Sequence, residues 1–291
     1  MRKIILDTDI GTDVDDAMAL LYLLNQKDVE VLGISTAYGD TQLRGQIVAH
    51  YLELLGRQIP IYAGATQTLS GRKIWISGEE GSSHDDLSRY PKNLKNSVDF
   101  MIDAVNTYPN QIEILAIAPL TNIGLAIQRD NSFAAKVKHL QIMGGDFARD
   151  FAEHNFASDV EALHVVMQSR IPTTIVPLNI TRQVAIPISD FEFLRNLGPA
   201  QQLLYSQIKS WLEFRNESVN NPHDPISALA LLNPEIFTFS QHGKIESQLE
   251  AGELVLNRFI PSTNGTVRIV QEIDVSQAIN ALFRGLYKQS S

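Results

Sequence analysis

Short apolar runs alternate with segments of helical periodicity through the first two-thirds of the chain. No other feature restricts the fold as strongly. Runs of strand character lie at 3–6, 29–36, 60–63, 112–118, 137–143 and 173–177. Between them apolar residues fall at helical spacing, as in Ala17, Leu20, Leu21 and Leu24, and again in Ile47, Tyr51, Leu54 and Leu55. Strands that alternate with helices pair in parallel through crossovers, so the pattern predicts an α/β fold, a mainly parallel central sheet flanked by helices, Rossmann-like. Further on, 190–197, 200–216 and 225–232 read as helices, 252–259 and 266–270 as strands, and 275–287 as a closing helix. No internal repeat or low-complexity linker interrupts the 291 residues, which predicts one domain over 1–291. Two polar stretches, 77–96 and 144–157, are long enough to be functional loops.

Composition narrows the classes of function. With no cysteine, the chain has no disulfide, no thiolate nucleophile and no cysteine-bound zinc. A net charge of −9, with no basic run longer than a pair such as Arg72-Lys73, argues against a nucleic-acid partner. Met1-Arg2-Lys3 leads directly into the first apolar run, unlike a secretory leader, and no apolar stretch approaches the ~20 residues of a membrane span. The expectation is a cytoplasmic enzyme.

The first strand runs into five aspartates: Asp7, Asp9, Asp13, Asp15 and Asp16. Carboxylates this close repel one another, and each favours protonation or a cation. Ligands of open α/β sheets collect where strands end and helices begin, so the cluster stands where a site is expected. Asp13 and Asp15 also suit capping of a helix that begins near Asp16. A helix–loop–helix calcium loop is excluded: counted from Asp7, Gly11 falls at position 5 and Thr12 at the position that needs glycine. A haloacid-dehalogenase-like phosphatase is a real alternative, with Asp7-Thr8-Asp9 as its D-x-D, a magnesium ion, and Gly145-Asp146 as its late acidic motif. A third reading uses calcium, which takes six to eight hard oxygen ligands. His223-Asp224-Pro225 at a helix start and Pro119-Leu120-Thr121-Asn122 at another strand-to-helix junction can converge on the same end of the sheet.

Six segments in order, D-T-D-I-G-T-D-V-D-D-A-M-A-L (7–20), I-Y-A-G-A (61–65), A-P-L-T-N-I-G-L-A (118–126), I-M-G-G (142–145), E-H-N (153–155) and H-D-P (223–225), give the chain a resemblance to the inosine-uridine preferring nucleoside hydrolases. The resemblance covers residues 3 to about 232 and implies the nucleoside hydrolase fold. It implies calcium-dependent hydrolysis of the N-glycosidic bond of ribonucleosides, with one Ca²⁺ per subunit. Carried over by position, Asp9, Asp16 and Asp224 supply metal-binding carboxylates and Thr121 a backbone carbonyl. Asp9 doubles as general base. Asp15 matches the acceptor of the ribose 2′-OH, Glu153 and Asn155 the pair on the outer hydroxyls, and His223 a histidine beside the leaving base. Relatives of this kind are homodimers or homotetramers.

Three departures stand out. Thr12-Asp13-Val14 make the acidic loop two residues longer than the commonest family spacing. Gly39-Asp40 replaces the usual Gly-Asn, which predicts an Asp40 that contacts the ion or ribose or is hydrogen-bonded in protonated form. Ser77 stands where several relatives carry histidine, so the base contacts must be sought elsewhere: in Trp75 by stacking, or in His84 and His154. A non-catalytic binder of ribosyl ligands on the same fold is the alternative from outside enzymology.

Overall fold

The computed structural model describes residues 1–84 and 86–287; residue 85 of the expected polar loop and the last four residues of the expected domain lie outside them. β1 (Arg2–Thr8), β2 (Val29–Thr36), β3 (Ile61–Ala63) and β4 (Lys95–Asn96) run parallel outward to one side. The chain then crosses back, and β5 (Ile112–Ala116), β6 (His139–Met143) and β7 (Thr173–Val176) continue in parallel on the other side of β1. The strand order therefore reverses between β1 and β5, which opens a crevice at the carboxyl ends of these two strands. Asp7 and Thr8 end β1 at its mouth, with Asp7 opposite Ser35 of β2 and Ala116 of β5.

Alternation along β1 separates two cores. Ile4 and Leu6 pack on one face with helices α1 (Asp15–Leu24) and α2 (Thr41–Leu55), while Ile5 faces the other with α3 (Ser97–Thr107) and α4 (Thr121–Arg129). Every residue of α1 is buried, so its register is fixed by apolar contact and its first turn is held rigidly under the crevice. Around the remaining strands lie α5 (Phe133–Lys136), α6 (His154–Ser158), α7 (Val160–Gln168), α8 (Leu178–Thr181), α9 (Pro199–Arg215), α10 (His223–Leu232) and α11 (Val275–Leu286).

The last third departs from expectation. Two short strands, β8 (Ile186–Pro187) and β9 (Val219–Asn220), pair apart from the main sheet, and 188–196 forms a 3₁₀ rather than an α-helix. β10 (Phe237–Phe239) and β13 (Val267–Ile273) pair antiparallel, and β13 lies parallel to β7. An unanticipated strand, β11 (Gly243–Glu250), forms an antiparallel hairpin with β12 (Glu253–Pro261) through Ala251-Gly252, both at positive φ. Most of β11 is exposed and polar, so no apolar alternation marks it in the sequence.

Candidate active site

A cavity of about 600 Å³ opens at the switch point. Asp9, Asp13, Asp15, Asp16, Asn155, His223 and Asp224 all line it, with Trp75 and His154. Carboxylate oxygens of Asp15, Asp16 and Asp224 lie within 4.8 Å of one another, and all three side chains are buried. The first two come from the start of α1 and the third from the start of α10. These acids do not cap their helices. Val14 and Pro222 occupy the N-cap positions without side-chain capping bonds, and Asp13 Oδ1 accepts from the adjacent Val14 N–H at 2.6 Å. The capping reading of Asp13 and Asp15 is therefore corrected: these carboxylates, like that of Asp224, line the cavity.

Such a group is electrostatically costly. Burial first, then repulsion from neighbours, pushes Asp15, Asp16 and Asp224 well above the usual carboxylate range. Burial also raises Asp9, with Arg44 and His154 pulling the other way. Asp13 is pushed up to about 7 by burial. Asp7 lies behind the cluster and is likewise pushed up to about 7 by burial. Its Oδ1 accepts from Ser35 Oγ at 2.5 Å and Asn122 Nδ2 at 2.8 Å, while Oδ2 is buried without a partner. Thr8 Oγ1 donates to Asp16 and so aims that carboxylate. Three buried carboxylates within reach of one point are the donor set that a hard divalent cation requires, and such an ion would remove the repulsion.

His223 Nδ1 lies 2.7 Å from Thr181 Oγ1, while that hydroxyl is 3.3 Å from the Leu178 carbonyl. With the hydroxyl as donor to Nδ1, the neutral ring carries its own proton on Nε2. Burial, and then the charge of Arg182, lower His223 to about 4. The ring is thus a neutral hydrogen-bond donor near pH 7 rather than a cationic acid. The Asn155 amide nitrogen is committed to the carbonyls of Met143 (3.2 Å) and Ile117 (3.4 Å), which leaves Oδ1 as its acceptor for a hydroxyl.

Other expected residues lie outside the cavity wall. Glu153 caps α6, accepting from the N–H groups of Gly145 (2.8 Å), Asn155 (2.8 Å) and Phe156 (3.1 Å). Gly144 and Gly145 are required there, since a Cβ on Gly144 would come 2.5 Å from the Phe156 ring and Gly145 has φ +74°. Thr121 opens α4 with its hydroxyl on Asp159 Oδ2 at 2.7 Å and is not among the cavity-lining residues. Asp40 is corrected: it is exposed, and its Oδ1 accepts from Leu43 N–H at 2.9 Å as the N-cap of α2. A capping aspartate needs neither ion nor ribose. His84 is turned away into a neighbouring crevice, 2.8 Å from His50 Nδ1 and 2.8 Å from Gln207 Nε2. Trp75 is 50 % exposed, a rim residue and not part of the core, with His154 at 6.0 Å between ring centroids. Asp146 is held by Arg149 and is not on the cavity wall, which removes the second acidic motif of the phosphatase reading.

Sequence reasoning missed four cavity or loop residues: Arg44, Arg182, Trp211 and Arg215. Arg44 was open to detection, because it precedes Ile47 and Tyr51 on the apolar face of a helix, where a lone arginine needs partners. Trp211 and Arg215 stand four residues apart on α9, with the guanidinium 5.7 Å from the ring centre, but only the fold brings that pair and Arg182 to one cavity.

Fold and site together define an α/β enzyme built around a carboxylate cage at the topological switch point. A family model described as "Inosine-uridine preferring nucleoside hydrolase" matches residues 4–280. Uridine nucleosidase 1 of Arabidopsis thaliana is 32 % identical over 288 residues, 91 % of this chain and 84 % of that protein. The inosine-uridine preferring nucleoside hydrolase of Crithidia fasciculata is 30 % identical over 259 residues, 81 % of each. A solved plant nucleoside hydrolase, PpNRh1, superposes with a TM-score of 0.88 at 26 % identity, with 99 % of each chain covered. The chain belongs to the inosine-uridine preferring nucleoside hydrolase family, a metal-dependent group of hydrolases that act on N-glycosyl bonds.

Proposed function

We propose that the protein is a calcium-dependent ribonucleoside hydrolase that releases ribose and a free nucleobase. The observation that carries this reading is the meeting of Asp15, Asp16 and Asp224 within 4.8 Å, beside Asp9, in a cavity large enough for a nucleoside. Asp9, Asp16 and Asp224, with the main-chain carbonyl of Thr121, would hold the ion, with Asp15 beside them, and Ca²⁺ suits this all-oxygen donor set. When bound, a divalent cation lowers the pKa of water and brings positive charge to the ribose hydroxyls.

The chain's own residues do the rest. Asp9, partly open to the cavity, takes the proton of the attacking water as general base. Asp15 accepts from the ribose 2′-OH, and its charge favours the oxocarbenium-like transition state as the glycosidic bond lengthens. Asn155 Oδ1 accepts from an outer hydroxyl, with Glu153 fixing the turn that presents it. His223 donates Nε2–H toward the departing base, and Trp75 offers an aromatic face at the rim. The printed names of relatives place uridine and inosine first among substrates to try.

Among the described residues no helix is long and apolar enough to cross a membrane; we place the enzyme in the cytoplasm as a homodimer or homotetramer acting on small molecules. The test is ribose release from uridine, inosine, cytidine, adenosine and guanosine, with and without a chelator. Turnover of at least one, abolished by Asp9→Ala, supports the reading. Tight nucleoside binding without turnover would instead identify a ribosyl-ligand binder.

A further inference from the structure

The lengthened acidic loop rests on a buried cation that the proposed reaction does not use. Arg44 of α2 is 2 % exposed. Its Nε donates to the Tyr38 carbonyl at 2.7 Å, and Nη1 donates to the carbonyls of Asp9 and, at 2.8 Å, Ile10. Both terminal nitrogens reach Thr12 Oγ1 at 3.3 Å. Thr12 Oγ1 in turn donates to Glu80 Oε1 at 3.2 Å, and Glu80 accepts from the N–H groups of Ser77 (2.8 Å) and Gly78 (2.9 Å). Gly11, at φ +111°, lets the loop lie flat on α2, since a Cβ there would come 2.5 Å from Ile47 Cδ1.

The geometry points to Arg44 as a positioning residue that fixes the main chain of residues 9–12, so that the acidic loop is already in its cation-binding shape before a cation arrives. This rests on the reading of the cluster as a divalent-metal site. Two effects compete. The guanidinium charge repels an incoming cation, whereas its rigid fork of donors removes the ordering cost of binding. The contacts are to backbone carbonyls and one hydroxyl, not to carboxylates, so the fork is the larger effect. Lysine keeps the charge but not the fork.

Calorimetric titration of Ca²⁺ into the chelator-stripped full-length protein separates these effects, with circular dichroism as the check of folding. Arg44→Met and Arg44→Lys are both expected to bind Ca²⁺ about tenfold or more weakly than wild type, the range typical of a group that orients metal ligands. A residue that only supports the fold would lower the Tm and leave the dissociation constant unchanged. Thr12→Val keeps the carbonyl contacts and loses the hydroxyl; about threefold weaker binding is expected, and it decides the matter where the Arg44 variants do not fold. Unchanged or tighter binding by a folded Arg44 variant, or by Thr12→Val in that event, overturns the proposal. Failure of the wild type itself to bind any Ca²⁺ overturns the metal reading, and this inference with it.

Discussion

The main-chain N–H of Asp224 donates to Oδ2 of Asp15 at 3.3 Å, a bond between positions 209 residues apart. It joins the first turns of α10 and α1, two helices that pack along their length. Both helices present their N-terminal, positive ends to the cluster, which partly offsets the gathered carboxylate charge. The offset is incomplete, because a helix terminus contributes about half a charge while Asp15, Asp16 and Asp224 lie together. The remaining repulsion ties stability to metal in a way that can be measured.

Asp224→Asn removes one charge and keeps the side-chain shape. The metal-free variant should melt above the metal-free wild type, by about 2 °C for a gain of about 1 kcal/mol. Its activity should fall at least about a hundredfold through lost metal affinity. Thermal melts in chelator, and ribose release at a Ca²⁺ concentration that just saturates the wild type, check the two halves.

The stabilisation conferred by Ca²⁺ should grow with pH. Asp7 and Asp13 are pushed up to about 7 by burial, and burial with mutual repulsion raises Asp15, Asp16 and Asp224 well above the usual carboxylate range. An acid raised on folding favours the folded state most below its unfolded value near 4, and that advantage is lost as pH rises through the folded value. Metal-free protein therefore loses the contribution of Asp7 and Asp13 between about pH 4 and about pH 7, while metal binding competes with protons for the oxygens of the cluster. The difference in Tm with and without Ca²⁺ should be small at pH 5 and large at pH 8.

Thr181→Val should lower kcat about tenfold, as expected for loss of a group that orients a proton donor, and leave Ca²⁺ affinity unchanged. A proton given by the Thr181 hydroxyl to His223 Nδ1, 2.7 Å away, would hold the ring's own proton on Nε2. Because His223 is lowered to about 4, no limb of the kcat profile near pH 6.5 should belong to it. Steady-state kinetics across pH 5–8 in both proteins provides the check.

Glu153→Ala strands the buried N–H groups of Gly145, Asn155 and Phe156. Stability should drop by about 1–3 kcal/mol, and KM should rise as Asn155 loses its fixed turn. Denaturant melts and initial rates measure each.

Alternation and helical periodicity made the parallel half of the sheet legible, because those strands and helices are held by local apolar patterns: β2 occupies 29–36 as expected, and β1, β5, β6 and β7 differ by a few residues at their ends. β11 was not legible, since an exposed edge hairpin carries almost no apolar signal. Within the site, the acidic run after β1 marked a place for a cation, and the resemblance to the nucleoside hydrolases implied that Asp9, Asp16 and the distant Asp224 share it; these residues do line one cavity. Asp40 misled, because aspartate at a helix N-cap and aspartate in a site look alike in sequence. Arg182, Arg215 and Trp211 were missed for the opposite reason: an i,i+4 pair on α9 and a single arginine after α8 look like ordinary surface residues in sequence, and the fold alone brings them to the wall.

The central claim is that buried carboxylates from the first turns of α1 and α10 hold one divalent ion that makes N-glycoside hydrolysis possible. The direct measurement is ribose release from uridine or inosine by chelator-stripped protein before and after titration with Ca²⁺. Activity that is absent when stripped and restored at about one Ca²⁺ per chain is the predicted result. Undiminished release by the stripped protein, or no release from any ribonucleoside at saturating Ca²⁺, would contradict it.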